Sequence, residues 1–149
     1  MLDPLSFKTR PLQRVAAYWL DKARPGRLPG RADIRPEELV AELPFLYLID
    51  IATDPLAFRY RLVGTAIGIW SGREYTGVPI NEAEYGPHWR GVFDEYRAVM
   101  ETASPRRDER NSPWFTKEFQ YYERLLAPLA ADGRKVDMIL GALHIVERR

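Results

Sequence analysis

The chain has 149 residues, 22 of them basic and 21 acidic, for a net charge of +1, and 46% are hydrophobic. That length suits one domain with a proper core, and the charge balance argues against a surface built to coat nucleic acid. There is no cysteine, which excludes disulfides, thiolate metal sites and cysteine nucleophiles, and the two histidines, His88 and His144, leave almost nothing for a histidine-rich metal centre.

No apolar run approaches the roughly 18 residues of a spanning helix. Residues 1–10 lack the apolar stretch and small-residue cleavage site of a secretory signal. A cytoplasmic protein that binds neither membrane nor nucleic acid is therefore expected. Arginine outnumbers lysine 18 to 4, but the arginines are interleaved with acids. The densest group, Arg106, Arg107 and Arg110, encloses Asp108 and Glu109, so it reads as a solvated loop or a short edge strand rather than a phosphate site.

The first periodic segment spans residues 11–23. Leu12, Val15, Ala16, Trp19 and Ala23 form one stripe of an amphipathic helix. Pro11 suits the first turn and Pro25-Gly26 stops the helix. Residues 27–35 have no period. A short helix is predicted from Pro36, with Glu37 and Glu38 in its positive first turn. Asp33 is expected to cap it, with Arg31 salt-bridged nearby. Residues 45–51 then read as a strand and Asp54-Pro55 as a turn. In the next strand Phe58, Tyr60 and Leu62 alternate with Arg59 and Arg61, the arginines on the solvent face.

Residues 65–70 suit one or two helical turns. The strongest helical signal covers 84–101, where Trp89, Val92, Phe93, Tyr96, Val99 and Met100 share one face. A helix with an aromatic face must bury it, and the strands are the available partner. If Phe93 is fully buried there, its replacement by alanine would cost about 3–5 kcal/mol. The final third reads as a hairpin around Asp132-Gly133, its strands covering 117–129 and 135–146. A two-residue turn there sets His144 opposite Tyr121 and one pair along from Glu123. One face then carries Phe119, Tyr121, Glu123, Leu125, Leu140, Ala142 and His144, and is expected against the long helix. The other carries Tyr122, Leu126, Ile139, Leu143 and Ile145 with Gln120, Arg124 and Asp137, and is left to the N-terminal helix.

Two hairpins separated by helices make an α+β domain with an antiparallel sheet. Several segments carry a closer resemblance: Tyr18-Trp19, Pro29-Gly30-Arg31-Ala32-Asp33-Ile34-Arg35-Pro36, Leu43-Pro44-Phe45-Leu46-Tyr47, Phe58-Arg59-Tyr60-Arg61-Leu62-Val63-Gly64-Thr65 and Gly72-Arg73-Glu74-Tyr75-Thr76-Gly77. Tyr122-Glu123-Arg124-Leu125-Leu126-Ala127-Pro128-Leu129 and Val136-Asp137-Met138-Ile139-Leu140 complete it. In this order they resemble the short bacterial single-domain PAS proteins, from about Leu12 to Val146. The resemblance implies one PAS domain over residues 1–149, with a five-stranded antiparallel sheet, helices across one face, a core from about 36 to 147 and an extra N-terminal helix at about 11–24. It implies a sensory, signal-transducing or protein-interaction module, and because the sequence carries no nucleophile or metal set, no catalysis of its own is expected. It fixes no cofactor and no catalytic residue.

Candidate ligand contacts between sheet and long helix are Tyr60, Trp89, Phe93, Tyr96, Tyr121, Glu123 and His144. Glu123 and His144 are also the credible acid–base pair of the competing reading, a small-molecule carrier or small enzyme. His88 is read as a helix-start residue rather than a haem ligand. With no output segment in these 149 residues, a signal would leave through an unidentified protein partner or through an oligomer. A short helix is not expected to cover a five-stranded sheet alone, so a homodimer held through the N-terminal helix by Leu12, Val15 and Trp19 is expected.

Overall fold

The computed structural model describes residues 2–111 and 121–146. Five strands form one antiparallel sheet: β1 (Leu46–Ala52), β2 (Ala57–Val63), β3 (Arg106–Asn111), β4 (Tyr121–Leu129) and β5 (Met138–Ile145), in the order β2-β1-β5-β4-β3. The order follows from two hairpins whose first and last members, β1 and β5, pair down the middle. Residues 106–110 are thus a true edge strand, in register with β4, and not a loop. The part of the hairpin expected at 117–120, with Phe119 and Gln120, lies outside the described residues.

Two local departures matter for the site. In β2 the pairing steps from Ile49 opposite Tyr60 to Leu48 opposite Leu62, leaving Arg61 as the extra residue of a bulge. Phe58 and Tyr60 keep to the inner face while Leu62, expected beside them, is turned to the outer one and is exposed. In the last hairpin Asp132-Gly133 is not a two-residue turn. The last pair is Leu129 with Met138, and residues 130–137 form a wider loop in which the Asp132 carboxylate accepts from the N–H groups of Arg134 and Lys135, each at 2.8 Å. The register therefore moves by two residues and sets His144 opposite Glu123.

The inner face is covered by α2 (Thr65–Ser71), the single turn α3 (Glu82–Tyr85) and α4 (Trp89–Thr102). The helix expected from 84 begins only at Trp89, because Gly86 takes a φ of 64° and Pro87 follows it in a tight turn. Val92, Tyr96 and Val99 are the buried residues of α4. Phe93 is only half-buried, its ring edge-on to Phe58 at 5.0 Å, so truncating it costs less than the fully buried case.

The outer face belongs to α1 (Arg10–Lys22), whose stripe of Leu12, Val15, Ala16 and Trp19 is buried on its own sheet against Leu125, Ala127, Leu129, Leu140 and Ala142. The Trp19 indole donates to Pro128 O at 3.0 Å. The two faces of the hairpin are thus exchanged relative to expectation: α4 meets Tyr122, Leu126, Ile139 and Leu143, and α1 meets the Glu123 side. Leu12, Val15 and Trp19 are buried within their own chain. Residues 31–45 continue the outer layer as three short turns. There Asp33 caps the turn it belongs to, accepting from Gly30 N–H at 2.8 Å, and Arg31 donates to Ile34 O at 2.9 Å rather than to a carboxylate.

Candidate functional site

Between the inner face and the helices lies a cavity of about 60 Å³. Its wall is unusual in composition. The phenols of Tyr47, Tyr60, Tyr75, Tyr85, Tyr96 and Tyr122 line it, with Val63, Ile67, Val92 and Leu143 as the apolar remainder. Each comes from a different constraint: Tyr47 and Tyr60 from facing strands, Tyr85 from the turn before α4, and Tyr96 from the buried stripe of α4.

The hydroxyls bond to each other, that of Tyr85 donating to Tyr60 at 2.7 Å and that of Tyr96 to Tyr47 at 3.1 Å. In each pair the accepting oxygen still carries a hydrogen of its own to donate. Room for the Tyr47 ring comes from Gly141, its cross-strand neighbour, where a Cβ would sit 2.1 Å from the ring.

Arg110 and Arg124 close the polar end. The Arg124 guanidinium is buried and paired with Asp108 at 2.7 Å and with Glu95 of α4, and Glu95 also accepts from Arg110 at 2.8 Å. Burial opposes the Arg124 charge, yet the phenols and carboxylates around it hold its pKa well above the ordinary value. Arg124 thus fixes one end of the cavity wall and ties α4 to β4 and β3.

Burial pushes the phenol of Tyr60 up from 10.0 to about 12, and those of Tyr47, Tyr85 and Tyr96 upward in the same direction. A phenol whose folded pKa exceeds its unfolded one contributes stability that is complete below pH ~10 and is lost as pH rises through the folded value. Stability is therefore expected to hold to about pH 10 and to fall between there and about pH 12, Tyr60 alone accounting for about 1–3 kcal/mol. Urea melts across that interval, with phenolate absorbance followed in parallel, check this. Free ionisation of every tyrosine near pH 10 without unfolding would contradict it.

Of the residues expected at the site, Tyr60 and Tyr96 line the cavity. Trp89 and Phe93 stack edge-to-face at 5.7 Å and lie beside it, against Phe58. Tyr121, Glu123 and His144 are not brought to it, because the exchanged faces carry them to the outer side. Glu123 is fully buried and accepts from the N–H groups of Lys8 at 2.8 Å and Thr9 at 2.7 Å, from the Thr9 hydroxyl, and from Arg107 at 3.3 Å. Those bonds occupy both oxygens at the start of α1. The His144 ring lies 4.5 Å from that of Phe45 and 5.2 Å from that of Trp70, its Nδ1 2.9 Å from Ile145 O, and the Tyr121 hydroxyl is 3.4 Å from Glu109. His88 is exposed at the start of α4. Arg59 and Arg61 are exposed on β2, Arg61 paired with Asp50 at 3.3 Å.

Sequence reasoning missed Tyr47, Tyr75, Tyr85, Tyr122, Arg110 and Arg124. A signal was present in Arg124, a cation standing immediately before the apolar pair Leu125-Leu126 in a strand apolar on both faces. Among the described residues no group of three or more His, Asp or Glu side chains has the arrangement to hold a metal ion, and no helix is long and apolar enough to cross a membrane.

A five-stranded antiparallel sheet in this order, with short helices and one longer helix closing a cavity on one face, defines the class of PAS folds. The chain belongs to the PAS domain family, whose model matches residues 7–144. Two solved structures share the fold. One is a sensory box sensor histidine kinase from Vibrio cholerae, 11% identical, with a TM-score of 0.53 over 75% of this chain and 90% of that one. The other is the PAS domain of BvgS from Bordetella pertussis, 17% identical, with a TM-score of 0.55 over 73% of this chain and 81% of that one. No curated protein matches the chain. PAS domains are typically sensory and signalling modules, and as a class they are generally not catalysts.

Proposed function

We propose that this PAS domain is a sensory module that holds a small polar molecule among the phenols of its inner cavity and reports occupancy to a protein partner through the surrounding helices. The observation that carries the reading is the convergence of six tyrosines on one cavity, whose hydroxyls can both donate to and accept from a ligand oxygen. About 60 Å³ is far below the roughly 300 Å³ at which drug-sized ligand sites begin, so the ligand is a compact oxygen-bearing molecule and not a flavin or haem. Glu95 of α4, bonded to both Arg110 and Arg124, supports the second half of the reading, because a ligand that moves these arginines must also move the helix.

The competing reading, an acid–base enzyme using Glu123 and His144, has less support. The Glu123 oxygens are committed to the start of α1 on the far side of the sheet from the cavity. The test is mass spectrometry of what the purified protein releases on denaturation, together with thermal melts against a panel of short carboxylates and polyols. A compact oxygen-bearing molecule is expected from the parent chain, with Tyr60→Phe and Tyr85→Phe each releasing less of it or losing the thermal shift. An empty protein with no shift from any panel member would sink the reading.

A further inference from the structure

The outer face holds a second concavity, of about 420 Å³, that the sensory reading does not use. α1 covers β4 and β5 but not the β1–β2 end of the sheet, which only the turns of residues 31–45 overlie. Buried Leu39, Leu46 and Leu48 form its floor. Its rim is equally apolar: Val40, Leu43 and Leu62 are 65%, 37% and 52% exposed. Leu62 stands there because the bulge at Arg61 reverses its face, opposite Leu48.

The lining carries one charge. Arg31 reaches the groove with one nitrogen donating to Ile34 O, and among the described residues no carboxylate lies within ion-pair distance of it. An apolar trough of ligand size with a lone cation at its mouth complements an apolar tail that ends in an anion. A second copy of the chain fits it less well. Three partly exposed side chains offer much less than the roughly 800 Å² per partner of a stable interface.

We propose that this groove binds a free alkyl carboxylate, its chain lying over Leu48 and Leu62 and its head group on Arg31. Tyr47 and Val63 line both spaces, but Leu48, Leu62, Leu140 and Arg31 line only the outer groove, and its ligand differs in chemistry from the compact polar molecule of the inner cavity, so the two readings are tested separately.

Decanoate and decanol, both below their aggregation limits, are the probes, titrated by calorimetry and by the methyl resonances of leucine, isoleucine and valine. Decanoate is expected to bind and to shift Leu48, Leu62 and Leu140 before Leu143, Ile67 and Val92. Arg31→Gln should weaken decanoate about tenfold, as the loss of a charge-assisted bond implies, and leave decanol unchanged. Leu62→Glu, a change at an exposed position, should abolish binding of both. The proposal is overturned if decanoate does not bind, if decanoate and decanol bind equally with no effect of Arg31→Gln, or if the shifts centre on Leu143, Ile67 and Val92. Sedimentation at the mass of two chains that Leu62→Glu returns to one would also overturn it, by making the groove a self-association surface.

Discussion

Glu123→Leu is expected to cost about 3–5 kcal/mol of folding stability, among the largest losses any single change to this chain can produce. The carboxylate is fully buried and accepts from two backbone N–H groups, a hydroxyl and a guanidinium. Thr9, at the cap position of α1, has no side-chain cap of its own, so a residue 114 positions away supplies the anion that the start of a helix calls for. Leucine would fill the space and leave those donors without acceptors, each worth about 1–3 kcal/mol. Glu123→Gln keeps one acceptor oxygen and should lose roughly half as much. Urea melts measure the loss, and hydrogen exchange should show Leu12 to Trp19 losing protection first. A loss below about 1 kcal/mol would mean that α1 is held by its apolar stripe alone.

The second large effect is expected at Gly141. A Cβ there would lie 2.1 Å from the ring of Tyr47, which is itself buried and bonded to Tyr96. Tyr47 also lines the inner cavity, so displacing its ring reshapes that site. Gly141→Ala should therefore cost about 1–3 kcal/mol and remove any ligand-dependent thermal shift. Tyr47→Ala vacates that space, so the double variant should be less destabilised than the sum of the two single ones. Additive losses would show that the glycine serves the backbone and not the ring.

Much of the architecture is legible in the residues alone. The alternation of β2, the stripe of α1 and the aromatic face of α4 each repeat with the period of their element, and two hairpins separated by helices admit few topologies. The faces of the last hairpin are not legible in the same way. Leu125 and Leu126 are equally apolar, so neither parity declares which helix it will meet. The register slipped because Asp132-Gly133 has the composition of a tight turn, while Asp132 spends its carboxylate on two further N–H groups and widens the loop. Arg61 is one residue too many in a strand that otherwise alternates, and pattern alone places Leu62 on the wrong side. Tyr60 and Tyr96 were within reach as aromatic residues on inward faces. Arg124 stands out as a cation beside an apolar pair, but its place in the site is not legible, because its partners Glu95 and Asp108 come from elements 29 and 16 positions away.

Neighbouring residues on a strand point to opposite faces, and β4 uses this at one peptide unit. Glu123 grips the start of α1 on one side while Arg124 grips Glu95 of α4 on the other. β3 repeats the arrangement one strand away, with Arg107 reaching Glu123 and Asp108 reaching Arg124. The two helical layers are consequently joined by a short through-bond linkage crossing the sheet, and not by packing alone. From Glu95 on α4 to Thr9 at the start of α1, the route therefore runs through two charged side chains and the single backbone step between them. In mechanical terms the sheet behaves at this point as a rigid crossbar, with a lever clamped to each end.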